Sequence, residues 1–302
     1  MSRIAVSIVM EAAPFLFLGS MLSAVVDRYV DAGRIARRIP SGPFGRMAVG
    51  LLGGMAMPIC ECGSVPLARR LLEKGVPPLT AITYMLAAPV INPIVLLSTY
   101  VAFGGNLRMV FARAIVVAVS AALTGWLCGR GAYGPQRANP GLMAAPPHGD
   151  HAHIHAPHHV SAQARAKSLV PDLLSSGAAE FLDMGKYLIL GALASAAFKV
   201  FLPWQLVQAL AGSAFLSISV LMLLAVLLCV CSEADAFVAA SFVYVPPAAQ
   251  LGFITLGAMV DLKLMGMYFA VFPKRTAWVL VVVPTVCVFG LSRLLGFFIE
   301  AG

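Results

Sequence analysis

The sequence contains few charged residues. Only 11% of its 302 residues are Asp, Glu, Lys or Arg, whereas 60% are hydrophobic and the mean hydropathy is +0.89. A chain with so little polar material cannot cover the surface of a water-soluble globule. The composition therefore excludes a soluble domain and predicts an all-α integral membrane protein in contact with the lipid bilayer.

The sequence also lacks a nucleotide-binding motif and a soluble basic face. Its net charge of +8 comes from Arg and Lys clusters beside apolar runs, a pattern that suits contact with lipid headgroups and control of topology. We therefore expect no nucleic-acid partner and no enzymatic activity. Any energy that the protein uses has to come from an ion gradient or from a partner protein.

The six cysteines do not form the loop-borne pattern of a disulfide-rich secreted domain, because all lie in or beside apolar stretches. For the two single residues, Cys128 and Cys287, inert packing is the expected role. The other four form two Cys-x-Cys pairs, Cys60 with Cys62 and Cys229 with Cys231.

Eight apolar runs, four in each half of the chain, are long enough to cross about 30 Å of hydrocarbon. Prolines and polar residues interrupt several of them, and the freed backbone groups must be buried in protein or line a wet cavity. Broken helices are therefore expected to face the interior. The runs are 4–27, 47–68, 79–103, 109–128, 173–198, 213–230 continuing into 236–245, 250–272 and 277–298.

One offset of 169 residues relates several landmarks of the two halves, which indicates an internal duplication. Many transporter folds are built from such repeats, with the substrate site near the bilayer midplane at their interface. We predict repeats at 1–128 and 171–302; parallel and inverted arrangements both fit, and the sequence sets no orientation. The landmarks are Glu11 and Glu180, Cys60 and Cys229, Cys62 and Cys231, Pro78 and Pro247, and Asn92 and Asp261.

A polar linker at 129–170 separates the halves and contains every histidine of the chain. The short spacings predict labile binding of divalent transition metals rather than a fixed tetrahedral site. An inert low-complexity spacer is the alternative. The histidines are His148, His151, His153, His155, His158 and His159.

Cysteines two positions apart on a continuous helix point about 200° apart and cannot bind one ion. Pro58 before the first pair and Pro66 after it predict a break, with Ser64 as N-cap of the following helix. Both sulfurs can then face one cavity. Thiolates favour thiophilic cargo such as Cu(I), Zn(II) or trivalent arsenic.

Four acidic residues lie inside apolar runs, where an unpaired charge is costly. We predict that they face the interior and serve in metal ligation, attraction of cations or proton relay. They are Glu61, Glu233, Asp235 and Asp261.

Structural roles compete with these assignments. Asp235 lies three residues after Ser232, the spacing of a capping box, and in that interpretation it caps the next helix. Asp261 alternatively pairs with Lys263, Lys186 or another buried cation.

Asn92, the positional counterpart of Asp261, precedes Pro93 and is biased away from helical geometry. Such a position exposes main-chain carbonyls, as binding sites do, although stabilising a turn is the alternative role. Met57 can assist a soft metal, but methionine is commoner as packing filler.

Four segments carry a resemblance to a known family: PICECGSVPLARR at 58–70, LAAPVINP at 86–93, CSEADAF at 231–237 and MVDLK at 259–263. They resemble the bacterial ArsP-like predicted permeases, and the likeness covers nearly the whole chain except the linker. It implies a multi-pass protein of the bacterial inner membrane; some members look like exporters of trivalent organoarsenicals, and others are linked to copper or zinc. It also implies thiol ligands at Cys60, Cys62 and Cys231, and a second membrane subunit as a candidate partner.

These observations lead to the hypothesis of a permease that exports a thiophilic metal ion or metalloid and requires no resident cofactor. A membrane thiol oxidoreductase, with a cysteine pair cycling through a disulfide, and a metal-delivery subunit of a membrane complex are the alternatives. Cys229, Lys263 and Met57 are secondary candidates for the path. The main candidates are Cys60, Glu61, Cys62, Asn92, Cys231, Glu233, Asp235 and Asp261.

Overall fold

The computed structural model describes residues 2–29, 39–57, 59–130, 169–201, 214–242 and 245–300. Every regular element in these ranges is a helix, as the apolar sequence predicts. We number the twelve helices of this part of the chain in order. They are α1 Ser2–Tyr29, α2 Pro43–Ala56, α3 Glu61–Glu73, α4 Pro78–Ala87, α5 Pro93–Ala102, α6 Leu107–Gly129, α7 Leu169–Phe201, α8 Ala214–Leu228, α9 Asp235–Ala240, α10 Pro247–Leu256, α11 Leu262–Val271 and α12 Lys274–Glu300.

Two helices are long and apolar enough to cross a membrane, namely α6 and the 26-residue stretch Lys274–Ile299 of α12. At about 1.5 Å per residue each exceeds about 30 Å of hydrocarbon. Helices α1 and α7 are also long, at 28 and 33 residues. Helices α4, α5, α10 and α11 have only 10 residues each, so none of them reaches across by itself.

Four of the predicted runs are each divided between two shorter helices. Helices α4 and α5 share the run 79–103, and their junction is closed by Asn92, whose Oδ1 accepts a hydrogen bond from Val95 N–H at 2.9 Å. Helices α10 and α11 share the run 250–272, where Asp261 Oδ1 accepts from Leu264 N–H at 2.7 Å. The other divided runs are 47–68, between α2 and α3, and 213–245, between α8 and α9.

The two capped junctions match residue by residue at the offset of 169. Ile91 N–H donates to Ala87 O at 2.8 Å before Asn92, and Val260 N–H donates to Leu256 O at 2.8 Å before Asp261. The helices on both sides begin at matching positions as well, Pro78 with Pro247 and Pro93 with Leu262.

The same offset does not hold at the cysteine pairs. Cys60 O accepts hydrogen bonds from the N–H groups three and four residues later, and in the second half Cys231 O does so, not Cys229 O. The predicted equivalence of Cys60 with Cys229 is therefore wrong in local geometry. Cys229, at φ 48°, instead turns the chain at the end of α8. Cys60 matches Cys231 at an offset of 171 rather than 169. The segment from Cys231 to Pro247 is therefore two residues shorter than the segment from Cys60 to Pro78.

We call residues 1–128 the first half and 171–302 the second half. Helix α1 packs along α7, and α6 along α12. The broken helices also meet across the halves, since α3 contacts α11 and α5 contacts α9. These contacts bring the segments that carry the cysteines and acids together.

Candidate functional site

The first cysteine pair lies where α3 begins. Cys60 precedes the helix with extended backbone, at φ −68° and ψ 167°, while Cys62 lies in the first turn, and both are buried. The chain is broken before Glu61, as the prolines around the pair predict, but the break expected after the pair is absent, because α3 continues through Pro66. Ser64 is not the N-cap, because α3 already begins at Glu61 and the Ser64 hydroxyl donates to Glu61 O at 3.0 Å.

The second pair follows α8 in a nonhelical stretch. Cys229 is buried and adopts the left-handed region, which costs a non-glycine residue about 1–2 kcal/mol. Its thiol lies beside the backbone N–H groups of Leu262 and Lys263 at the start of α11. Cys231 is half-buried and neighbours Glu233.

Lys263 lies at the centre of the site. Its Nζ is 2.8 Å from Glu61 Oε1 and 3.3 Å from Asp261 Oδ2, and all three side chains are almost completely buried. Glu61, which lies between Cys60 and Cys62, also contacts Ser232, the residue after Cys231, at 3.1 Å. One cation thus pairs with an acid from each half where the two cysteine-bearing segments meet. Of the partners expected for Asp261, the structure selects Lys263, while Lys186 lies over the ring of Tyr187 at 5.1 Å.

Ser232 joins two of the acids. Its Oγ lies 3.1 Å from Glu61 Oε2 and 3.4 Å from Glu233 Oε2, so its one proton can serve either carboxylate. Ser232 is fully buried, whereas Glu233 is half-buried. The side that carries Glu233 and Cys231 is therefore the more accessible side of the site.

Asp235 pairs with Arg113 of α6, a residue that the sequence interpretation missed. Arg113 Nη2 lies 2.7 Å from Asp235 Oδ2 and donates to Ser232 O at 3.3 Å, while Nη1 donates to Thr99 Oγ1 at 2.7 Å. Asp235 is the first residue of α9, and the N-cap position, Ala234, makes no side-chain capping bond. The capping interpretation of Asp235 is therefore wrong. A lone arginine in the apolar run 109–128 was the available signal, because a buried charge requires a partner.

Two candidates serve other contacts. The Asn92 amide donates to Ala88 O at 3.1 Å while its oxygen caps α5, as expected for a turn-stabilising residue. Met57 packs with a separate apolar cluster around Leu67 and Tyr84. The six histidines of the linker lie outside the described residues.

The site carries an excess of negative charge. With every group ionised, the acids Glu61, Glu233, Asp235 and Asp261 outnumber the cations Lys263 and Arg113 by two. Among the described residues, no three His, Cys, Asp or Glu side chains lie close enough together to hold a metal ion. The arrangement is a closed charge network with thiols around it rather than a preformed metal centre.

The apolar composition and the membrane-length helices α6 and α12 are those of a membrane protein. The sequence matches the ArsP-type family, described as predicted permease, over residues 1–297, so the chain belongs to that family. It is 36% identical over 295 residues to UPF0718 protein YcgR of Bacillus subtilis (strain 168), covering 97% of this chain and 96% of that protein.

A second relative is the putative two-component membrane permease complex subunit of Streptococcus mutans serotype c. It is 35% identical over 262 residues, which cover 85% of this chain and 82% of that protein. No solved structure is significantly similar to the chain.

Proposed function

We propose that this membrane protein is a multi-pass permease of the bacterial inner membrane that exports a thiophilic metal ion or metalloid. The observation that carries the proposal is the buried contact of Glu61 with Lys263 and Ser232, because Glu61 lies between Cys60 and Cys62 and Ser232 follows Cys231. Cysteine-bearing segments of both halves therefore meet at one buried ion-paired centre. The permease family supports the transport role.

The charge balance supports a cationic cargo. Two carboxylates in excess inside a low-dielectric interior attract a cation or retain protons. Lys263 is a tethered cation between Glu61 and Asp261, and it compensates part of their negative charge while no cargo is bound. A thiophilic cargo entering beside Cys231 and Glu233 displaces the ammonium group and binds the sulfurs of Cys60, Cys62 and Cys231 as thiolates. The thiol protons pass to the neighbouring carboxylates or to water.

In this mechanism the two halves are repeats that move against each other around the site. The matching junctions at Asn92 and Asp261 support the repeat, since their caps and backbone hydrogen bonds coincide at one offset. The halves contact each other through α3 with α11 and through α5 with α9. At this interface, short helices next to the chain breaks of one half pack against those of the other half. Motion at this interface alters the distances among the thiols.

A second membrane subunit is part of the proposal. The relative in Streptococcus mutans is named as a putative subunit of a two-component membrane permease complex. This sequence has no nucleotide-binding motif, so it has no site of its own for using the energy of nucleotide hydrolysis. A partner subunit of this kind can supply that energy.

One observation favours a thiol oxidoreductase as the second candidate. Cys60 and Cys62 are free, buried cysteines on either side of the first residue of α3, and a disulfide between them would need no rearrangement of distant segments. Both thiols are buried, however, which separates them from the quinone that would accept their electrons and from a partner thiol that would reduce the disulfide.

Transport into proteoliposomes by serine variants tests the proposal. Cys60→Ser, Cys62→Ser and Cys231→Ser should each lower uptake of Cu(I), Zn(II) or trivalent arsenic by at least tenfold. Cys128→Ser and Cys287→Ser are the controls, because these single cysteines lie outside the site. Wild-type uptake by the variant lacking all three site cysteines would contradict the ligand role. The oxidoreductase would be favoured if the wild type forms and reduces a Cys60–Cys62 disulfide reversibly, while the serine variants lose this disulfide and still transport normally.

A further inference from the structure

A cavity of about 190 Å³ lies at one end of α6, and none of its lining residues belongs to the cysteine and carboxylate site. It lies between the first turns of α2 and α4 and the last turn of α6. Its lining includes Ser41, Pro43, Arg46, Pro78, Trp126 and Arg130.

Two guanidinium groups give this cavity its charge. Arg46 Nε donates to Pro40 O at 3.3 Å, and no described residue accepts from its two terminal nitrogens. Arg130 stacks on the indole of Trp126, with the guanidinium carbon 4.0 Å from the ring centroid, and stacking uses its face while leaving its N–H edge for a ligand. No acid is among the described residues that line the cavity, so its two guanidinium groups have no acidic partner in the part of the chain that the structure describes.

The surrounding backbone adds to the positive potential. Helices α2 and α4 begin beside the cavity, with Pro43 and Pro78 at their first positions, so two positive helix ends point towards it. Gly129 contributes no side chain here; a Cβ on it would lie 3.2 Å from Leu79 Cβ. The glycine allows α6 to approach α4 closely while Arg130 remains at the rim.

The position of the cavity relates it to the membrane surface. Helix α6 is long and apolar enough to cross the bilayer, and Trp126 and Arg130 lie at its C-terminal end. Tryptophan and arginine at a helix end are typical of the headgroup region. A ligand held there reaches the first turns of α2 and α4, the helices that lead into the two broken regions of the first half.

We propose that this cavity binds a phosphoryl group through Arg46 and Arg130, carried by an anionic phospholipid headgroup or present as free phosphate. The planar guanidinium forms two parallel hydrogen bonds to phosphate oxygens, which a single ammonium group does not reproduce. A phosphoryl group in this position ties together the ends of α2, α4 and α6.

Binding of defined lipids to the purified full-length protein in neutral detergent tests the inference. The probes are short-chain phosphatidylglycerol, phosphatidylcholine of the same chain length, and inorganic phosphate. The double variant Arg46→Gln and Arg130→Gln should weaken phosphatidylglycerol binding at least tenfold. Arg108→Gln, at the opposite end of α6, is the matched control and should bind as the wild type does.

The source of the phosphoryl group follows from competition. If phosphate displaces phosphatidylglycerol but binds more weakly than the lipid does, the natural ligand is a lipid headgroup. If the protein binds phosphate and does not bind phosphatidylglycerol, the natural ligand is the free anion. Equal binding of the two lipids, or undiminished binding by the double variant, overturns the inference. Folding is checked by size-exclusion elution and melting temperature without ligand. If the double variant does not fold, Arg46→Gln alone must weaken binding at least threefold, and Arg46→Lys must restore part of it.

Discussion

Lys263 Nζ lies 2.8 Å from Glu61 Oε1, although the two residues are 202 positions apart in the chain. Lys263 is in the first turn region of α11 and Glu61 begins α3, so this ion pair joins the two halves where their broken helices meet. Because Asp261 also lies beside Lys263, loss of the cation and loss of one acid have unequal consequences.

Lys263→Met should destabilise the protein more than Glu61→Gln. The methionine variant leaves Glu61 and Asp261 without their cation, and an uncompensated buried charge costs about 3–5 kcal/mol. After Glu61→Gln, Lys263 retains Asp261. The melting temperature in detergent measures the difference, with exposed Lys186→Met as the control. Equal melting temperatures for all three variants would show that Lys263 does not stabilise the site.

Arg113 and Asp235 should be strongly coupled in a double-mutant cycle. Arg113→Met leaves the Asp235 carboxylate buried and unpaired, whereas adding Asp235→Leu removes both charges and restores part of the stability. We expect a coupling of about 1–3 kcal/mol in the free energy of unfolding. Additive effects of the two substitutions would contradict the pairing of α6 with α9.

Gly191→Ala should disturb the site without changing any of its chemical groups. A Cβ at Gly191 of α7 would lie 2.6 Å from Lys263 Cα and 3.0 Å from Lys263 N, so α11 has to move. Overpacking of this kind costs about 1–3 kcal/mol. The melting temperature and proteoliposome transport should both fall. Gly290→Ala on α12 is the control, because nothing lies within 4 Å of its Cβ position, and it should leave both measurements unchanged or slightly improved.

Deletion of residues 145–160 tests the predicted role of the histidine linker. A histidine binds metal through its neutral imidazole, and the unperturbed pKa of the histidine side chain is about 6.5. The linker should therefore bind metal above about pH 6.5 and release the metal as the pH falls below that value. The deletion should lower transport at low metal concentration while the maximal rate stays nearly constant. Complete loss of transport would place the linker in the path, and no change at any concentration would favour an inert spacer.

The broken helices were predictable because their causes are local. Asn92 before Pro93 marks the junction of α4 and α5, and the structure has a break and a side-chain cap there. The partner of Asp261 was also within reach, since Lys263 is two residues away.

The remaining contacts depend on folding over long distances. Arg113 meets Asp235 across 122 residues, and no local pattern in either segment specifies the other. The change of offset at the cysteine pairs was also hidden, because Cys229 and Cys231 both belong to a Cys-x-Cys pair and only the backbone distinguishes them. Cys229 turns the chain at φ 48°, and this leaves Cys231 in the position equivalent to Cys60.

The two capped junctions differ in the residues that follow the cap. At an offset of 169, Asp261 and Lys263 correspond to Asn92 and Ile94; Lys263 is 2% exposed and Ile94 58% exposed. Asn and Asp both cap a helix, but Asp261 also pairs with Lys263. Lys263 also pairs with Glu61, so replacing Asp261 alone by asparagine leaves Lys263 with one acid, whereas replacing Lys263 alone leaves two buried carboxylates without their cation. The order of substitution therefore matters: a change at 263 is expected to be tolerated only after the acids at 61 and 261 have been replaced.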